Sequence, residues 1–290
     1  MKPVTHDSYV KWMISFTVDK PIVYLDYTGK LVKTIVATAS ERLAEEIASR
    51  RPGEAKPLSL SPVYTPGRDG KPRALYPHTA SPSGTPRPVT LQPGRIYFFN
   101  IGVAAALEPE IQAVIMRLLA GHRIPTRSGE ATVTLTAAER LNHYSATADP
   151  TIAPRPGQCI KVVLSAPTLP TSPLHPRSRV KRLTTSPLHL FAVNLHALYR
   201  RPDPRALAAL DLLTPSPSST RTVATTWYHY SGRTLPALTG YIKYCIDDTV
   251  ETSNDQLETL GHILSHAATM GAGSSRATGF GDLKITTTQP

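Results

Sequence analysis

Residues 253–288, SNDQLETLGHILSHAATMGAGSSRATGFGDLKITTT, run from a helical pattern through a glycine-rich loop into a short strand. The helix over 253–271 opens on Asn and Asp, and GDLKITTT (281–288) reads as a closing strand. Between them GAGSSRATGFG (271–281) holds four glycines, two serines, a threonine and an arginine. So much backbone freedom usually marks a close approach, often by a phosphate. Neither nucleotide loop fits. The GxxxxGK[ST] spacing is absent, and GxGxxG fails because Arg276 stands where the third glycine should fall. Both of those loops also run from strand to helix, where helix amides and dipole hold the phosphate, whereas this one runs from helix to strand. The remaining ligand is a polynucleotide backbone. Gly271, Gly273, Gly279 and Gly281 would leave amides uncovered, Ser274, Ser275 and Thr278 add hydroxyls, and Arg276 adds a phosphate fork. The alternative is a helix C-cap followed by a β-bulge with no ligand.

Working outward, two similar halves appear. VKWMISFTVD (10–19) alternates as a strand, KLVKTIVATASERLAEEIASR (30–50) reads as an amphipathic helix stopped by Pro52 and Gly53, and KPLSLSPVY (56–64) is a strand. Residues 65–94 are rich in Pro, Gly and Ser and read as a long irregular insertion. RIYFFNIGV (95–103), the helix EPEIQAVIMRLLAG (108–121) and ATVTLTAA (131–138) complete the half. After the Pro-rich TADPTIAPRPG (147–157), the order returns as strand 159–168, helix 186–201, the hairpin-like pair 221–232 and 238–248, then the helix and strand quoted above. The spacing predicts an α+β fold of two tandem ferredoxin-like modules (β-α-β-β-α-β, RRM-like) at 1–146 and 158–290, with 147–157 as linker.

The chain has 290 residues, enough for two modules with real cores, and is 40% hydrophobic. Lys and Arg number 32 against 21 Asp and Glu, a net charge of +11 that favours polyanionic partners, nucleic acid first. Cys159 and Cys245 lie far apart in no ligand spacing, which argues against a disulfide framework or zinc ribbon and for a reducing cytoplasm. No apolar run approaches the roughly 20 residues of a membrane span, and the N-terminus does not read as a signal peptide.

The residues at 240–285 carry a resemblance. TGYIKYCIDD, a spacer and LGHILSHAATMGAGSSRATGFGDLKI resemble the C-terminal hairpin strand, helix, GxGxxxxxGFG loop and strand of the Cas6 family, CRISPR precursor-RNA endoribonucleases of the RAMP superfamily. IKVVLSAPT with the basic PLHPRSRVKRL resembles the start of the family's second half, and KPLSLSPVY and LQPGRIYFFNIG resemble strands of its first. The resemblance implies CRISPR repeat RNA as partner, other Cas effector subunits as further partners, a monomer or homodimer away from the membrane, and no cofactor or metal. It implies metal-independent cleavage in which the ribose 2′-hydroxyl attacks the adjacent phosphate, with a base for the 2′-OH, an acid for the 5′-oxygen and cations for the growing charge.

Mapped onto this chain, the family's tyrosine falls on Tyr27 or nearby Tyr24, and its lysine on Lys56. The family's histidine position holds Ser49, Arg50 and Arg51, and no histidine occurs between His6 and His78. Three explanations stay open: Lys56 acts electrostatically with Arg50 or Arg51; a histidine such as His78, His143, His262 or His266 enters the site; or the protein binds RNA and cuts poorly or not at all. Arg50 and Arg51 would also suit a helix C-terminus without RNA. His262 and His266, four apart, read better as solvated or packed than as ligands, as do His189 and His196. TTWYHY (225–230) could stack bases or form a buried hairpin face. Arg177, Arg179, Lys181 and Arg182 form a second candidate RNA contact or an ordinary solvated charge run.

Overall fold

In the computed structural model, residues 7–49, 56–67, 71–174, 183–199 and 203–288 are described. The N-terminal half begins with β1 (Ser8–Val18), β2 (Ile22–Tyr24), α1 (Gly29–Ala39) and α2 (Glu41–Ala48). The sequence pattern predicts one continuous helix over 30–50. Ser40 instead leaves the helical region, ends α1, and starts α2 by accepting a hydrogen bond from the Leu43 amide (3.2 Å). Its hydroxyl also donates to Glu110 Oε2 (2.7 Å), which fixes the bend against the next helix.

Next come β3 (Leu58–Leu60), β4 (Val63–Pro66), β5 (Pro72–Leu75), β6 (His78–Thr79) and β7 (Val89–Leu91). The 65–94 insertion is therefore not structureless, which corrects the sequence reading. Its strands are two to four residues long, too short for a periodic signal, and each pairs outward. β5 pairs β4, β7 pairs β2, and β6 crosses to the other half. β8 (Tyr97–Ala104), α3 (Glu108–Leu119), β9 (His122–Thr126) and β10 (Gly129–Ser145) close the half. The β9–β10 hairpin and the full length of β10 escape a pattern search, because residues 136–143 of that strand are mostly exposed.

The C-terminal half holds β11 (Cys159–Thr168), α4 (Pro187–Leu190), α5 (Ala192–Tyr199), α6 (Pro204–Asp211), β12 (Leu213–Pro215), α7 (Ser219–Thr222), β13 (Val223–Tyr230), β14 (Arg233–Ile246), α8 (Asn254–Met270) and β15 (Leu283–Thr288). The predicted helix 186–201 breaks into α4 and α5, and α6, started by Asp203 as N-cap, joins them in the first crossover. A capping box of Ser253 and Gln256 starts α8.

Both sheets show the ferredoxin-like order 4-1-3-2. In the first, β10–β1–β8 continues to β3 and β4; in the second the path is β15–β11–β14–β13, extended by β6. Each sheet buries one face under its helices. Ile14, Phe16, Phe99 and Ile101 meet Leu31, Ile35 and Val114 in one core, and Ile160, Val162, Ile242 and Tyr244 meet Leu195, Leu210 and Ile263 in the other. Cys159 and Cys245 stand opposite one another on β11 and β14 and form a disulfide, their Cα atoms 4.0 Å apart. This overturns the unpaired reading, which took a separation of 86 residues as distance, and removes the argument it lent to a reducing compartment. Among the described residues no helix is long and apolar enough to cross a membrane.

Candidate RNA-binding site at the seam of the halves

The glycine loop lies where the two halves meet, and the protein itself makes the close approach. Gly271, in the left-handed region at φ 74°, ends α8 with its amide on Ala267 O (2.7 Å). The amides of Ala272, Gly273, Ser274 and Gly281 donate to Gly281 O, Leu190 O, Leu169 O and Pro167 O at 2.8–3.0 Å. Those of Thr278 and Gly279 close a short turn on Ser275 and Arg276 (3.0 and 3.2 Å). A side chain on Gly279 (φ 97°) would place its Cβ 2.6 Å from Gly29 Cα, so the start of α1 presses directly on the loop. The uncovered amides expected from the sequence are thus committed within the fold. Ser274 Oγ and Thr278 Oγ1 also donate to carbonyls, and Ser275 is the exposed residue of the loop.

Arg276 does not extend as a phosphate fork. It is buried, and its guanidinium donates to Met270 O and Gly271 O, both at 3.2 Å. These are carbonyls at the α8 C-terminus, where the helix dipole favours a cation. Burial pushes its pKa down to about 10, with Tyr9 opposing the shift. His266 lies in the same core, its Nδ1 2.9 Å from Asn194 Nδ2 and its ring edge-on to Tyr9 and Tyr144. Burial, then the charge of Arg276, hold its pKa well below the ordinary range, so this histidine is neutral.

Tyr27 comes to the loop from 252 residues away. Its hydroxyl donates to Gly279 O (2.7 Å), and its ring stacks on Phe280 with centroids 4.2 Å apart. Tyr76 and Tyr228 flank it, both at 5.6 Å. Fully buried, Tyr27 has its pKa pushed far up, so it anchors the loop here and offers no accessible hydroxyl to a substrate. At the rim of this cluster His78 is exposed against Tyr76, and Lys30 reaches Asp26 (2.5 Å), Ser231 Oγ (2.6 Å) and the Tyr230 ring (4.4 Å). TTWYHY is divided accordingly: Tyr228 is buried, while Trp227 and Tyr230 are partly covered.

A second tie went unread in the sequence. Lys11, on the β1 face away from α1 and α3, forms a buried ion pair with Asp282 (2.6 Å) and donates to Ala268 O (3.1 Å). Asp282 Oδ2 also accepts from Tyr64 OH (2.7 Å) and Asn100 Nδ2 (2.8 Å). In VKWM the lysine looks like an outward residue of an alternating strand; its partner follows the glycine loop 271 residues later.

Lys56 stands apart from Tyr27, at the other end of the α1–α2 arm. Its ammonium donates to Ile47 O at the end of α2 and is half-buried. Burial first, then the neighbouring charge of Lys33, push its pKa down, with Glu46 opposing. Arg50, Arg51, Arg177, Arg179, Lys181 and Arg182 lie outside the described residues. His143 is exposed on β10 opposite Val10, in the same cross-strand row as Val103 and Leu58. Three ladder steps put it about 14 Å from Leu58, too far to share a proton with Lys56. His262 is 3.8 Å from Glu258, and His196 meets Pro173 O at 2.8 Å. Among the described residues no group of three or more His, Cys, Asp or Glu is placed to hold a metal.

Residues 10–141 match the family model of the Cas6 N-terminal domain. The whole fold is similar to that of a Cas6 product complex, with a TM-score of 0.63 and 15% identity over 97% of this chain and 100% of that one. Thermus thermophilus Cas6 gives 0.56 and 14% over 98% and 100%. A RAMP protein described as binding different RNA substrates gives 0.54 and 11% over 96% and 99%. No curated protein sequence matches.

Proposed function

With a Cas6 N-terminal domain at 10–141 and a Cas6 fold through the rest of the chain, we propose that this protein matures CRISPR RNA, binding the repeat in a precursor transcript and cleaving it by 2′-hydroxyl transesterification. The observation that carries this reading is the family match in the half that holds Tyr27 and Lys56. Lys56 supplies positive charge to the phosphorane. Its lowered pKa also makes it a readier donor to the departing 5′-oxygen than an ordinary lysine. Arg50 and Arg51 adjoin it in sequence as further cations. Tyr27, Phe280 and the glycine loop form the floor over which RNA passes, and their role is to hold that floor in shape.

A second reading, a RAMP subunit that binds and retains guide RNA without turnover, is favoured by the missing histidine between His6 and His78. Incubation with repeat RNA in EDTA separates the two. A cyclic-phosphate product, slowed about 100-fold or more in Lys56→Ala with unchanged affinity, supports the enzyme. Tight binding without product supports the subunit.

A further inference from the structure

In α5 (AVNLHALY), Asn194 is buried with Ala192, Leu195, Ala197 and Leu198, and a buried amide is unfavourable unless its hydrogen bonds are made. Its Nδ2 directs two hydrogens at His266 Nδ1 and Gly271 O, both 2.9 Å away. The imidazole must then present a lone pair at Nδ1 and carry its proton on Nε2. Two atoms of this network are left over: Asn194 Oδ1 and His266 Nε2 are buried and find no hydrogen-bond partner among the described residues. Gly271 O also accepts from Arg276 Nη1 (3.2 Å), so α5, α8 and the glycine loop meet at one carbonyl. That carbonyl stands where the loop's two ends touch, since a Cβ on Gly271 would lie 2.6 Å from Gly281 O.

We propose that Asn194 and His266 form a proton-operated latch on the glycine loop, closed while the imidazole is neutral and released when Nδ1 takes up a proton. A protonated Nδ1 is a donor and no longer accepts from Asn194 Nδ2. The orphaned Asn194 Oδ1 becomes its acceptor once the amide turns over, and the same turn takes Nδ2 away from Gly271 O. The proton also sets a second positive charge beside Arg276, the other group that holds this carbonyl. Among the described residues, β1 brings Tyr9 and Lys11 to this region, Lys11 already paired with Asp282, and β10 brings Tyr144. On α8 itself stands His262, 3.8 Å from the exposed Glu258. The new charge therefore meets Arg276 with no free carboxylate beside it. Burial, then Arg276, hold the imidazole pKa well below the ordinary range in the closed form. The closed latch is thus complete above the ordinary histidine pKa of about 6.5 and weakens as pH falls below it, because the opened form takes the proton first. It stands on the fold alone, whatever passes over the loop.

Hydrogen exchange on the full chain, normalised to unstructured amides at each pH, tests the latch. Amides of 271–281 are expected to lose about tenfold in protection between about pH 7.5 and about pH 5.5, while those of α3 keep theirs. His266→Asn, which keeps a neutral acceptor near the place of Nδ1, shows no such fall. Nitrogen chemical shifts of the parent show His266 as the Nε2–H tautomer at about pH 7.5, a measurement that holds even where the variant fails to fold. Loop protection that is flat with pH in the parent, or a fall that His266→Asn shares, overturns the latch. So does an Nδ1–H tautomer, or a fall that α3 follows equally, which would be global acid unfolding.

Discussion

The two sheets share one strand order, yet the faces turned away from their helices have opposite fates. In the N-terminal sheet that face carries Lys11, buried and neutralised by Asp282 under the end of α8. In the C-terminal sheet the corresponding face carries Lys161, over the Tyr241 ring, and the exposed Lys284, with no carboxylate on any of its strands. A lysine on a central strand of a ferredoxin-like sheet thus means nothing by topology alone. What decides is whether a later part of the chain brings an acid to it. The first face became a joint around its lysine, and the second joins only at the end where Ala237 and Tyr228 meet Tyr27 and Phe280.

The sharpest way to break this contrast is at Asp282. Asp282→Ala leaves the Lys11 ammonium buried without its partner and is expected to cost about 3–5 kcal/mol in urea unfolding. The double substitution Lys11→Met with Asp282→Leu should cost clearly less, because no charge is then stranded. If the single and double variants unfold alike, the joint is not electrostatic. On the surface side, Cys159→Ser with Cys245→Ser frees the two central strands of the C-terminal sheet. Its expected cost is about 2–4 kcal/mol against the oxidised parent, and reduction of the parent should give the same thermal shift. The smallest effect belongs to Tyr27→Phe. It keeps the stack on Phe280 and removes the bond to Gly279 O, for a loss of about 1 kcal/mol. Under the anchoring role, repeat cleavage by this variant keeps its pH profile; a changed profile would return the Tyr27 hydroxyl to the chemistry.

Much of the fold is legible in the sequence because α3 and α8 and the strands of both modules carry strong periodicity and plain stop signals. Ser40 as a break, the two-residue β6 and the disulfide are not. Each depends on a partner distant in sequence: Glu110 for Ser40, Tyr228 for His78, Cys245 for Cys159. The glycine loop shows the same limit in a subtler form. Its composition correctly announces a close approach to the backbone. It does not say that the approaching groups are Gly29, Tyr27 and Leu169 of the same chain. By its charge alone Arg276 resembles a phosphate contact, whereas its place beside the carbonyls ending α8 gives that charge an internal acceptor.

The ties across the seam join residues 252 and 271 positions apart, Tyr27 to Gly279 and Lys11 to Asp282. Contacts of such long range form late, after the loop that connects them has been closed. During synthesis the chain therefore has no assembled seam until residue 282 has left the ribosome. A nascent or prematurely ended copy holds β1 with Lys11 and, just before α1, Tyr27, but lacks the Asp282 and Gly279 that tie them down.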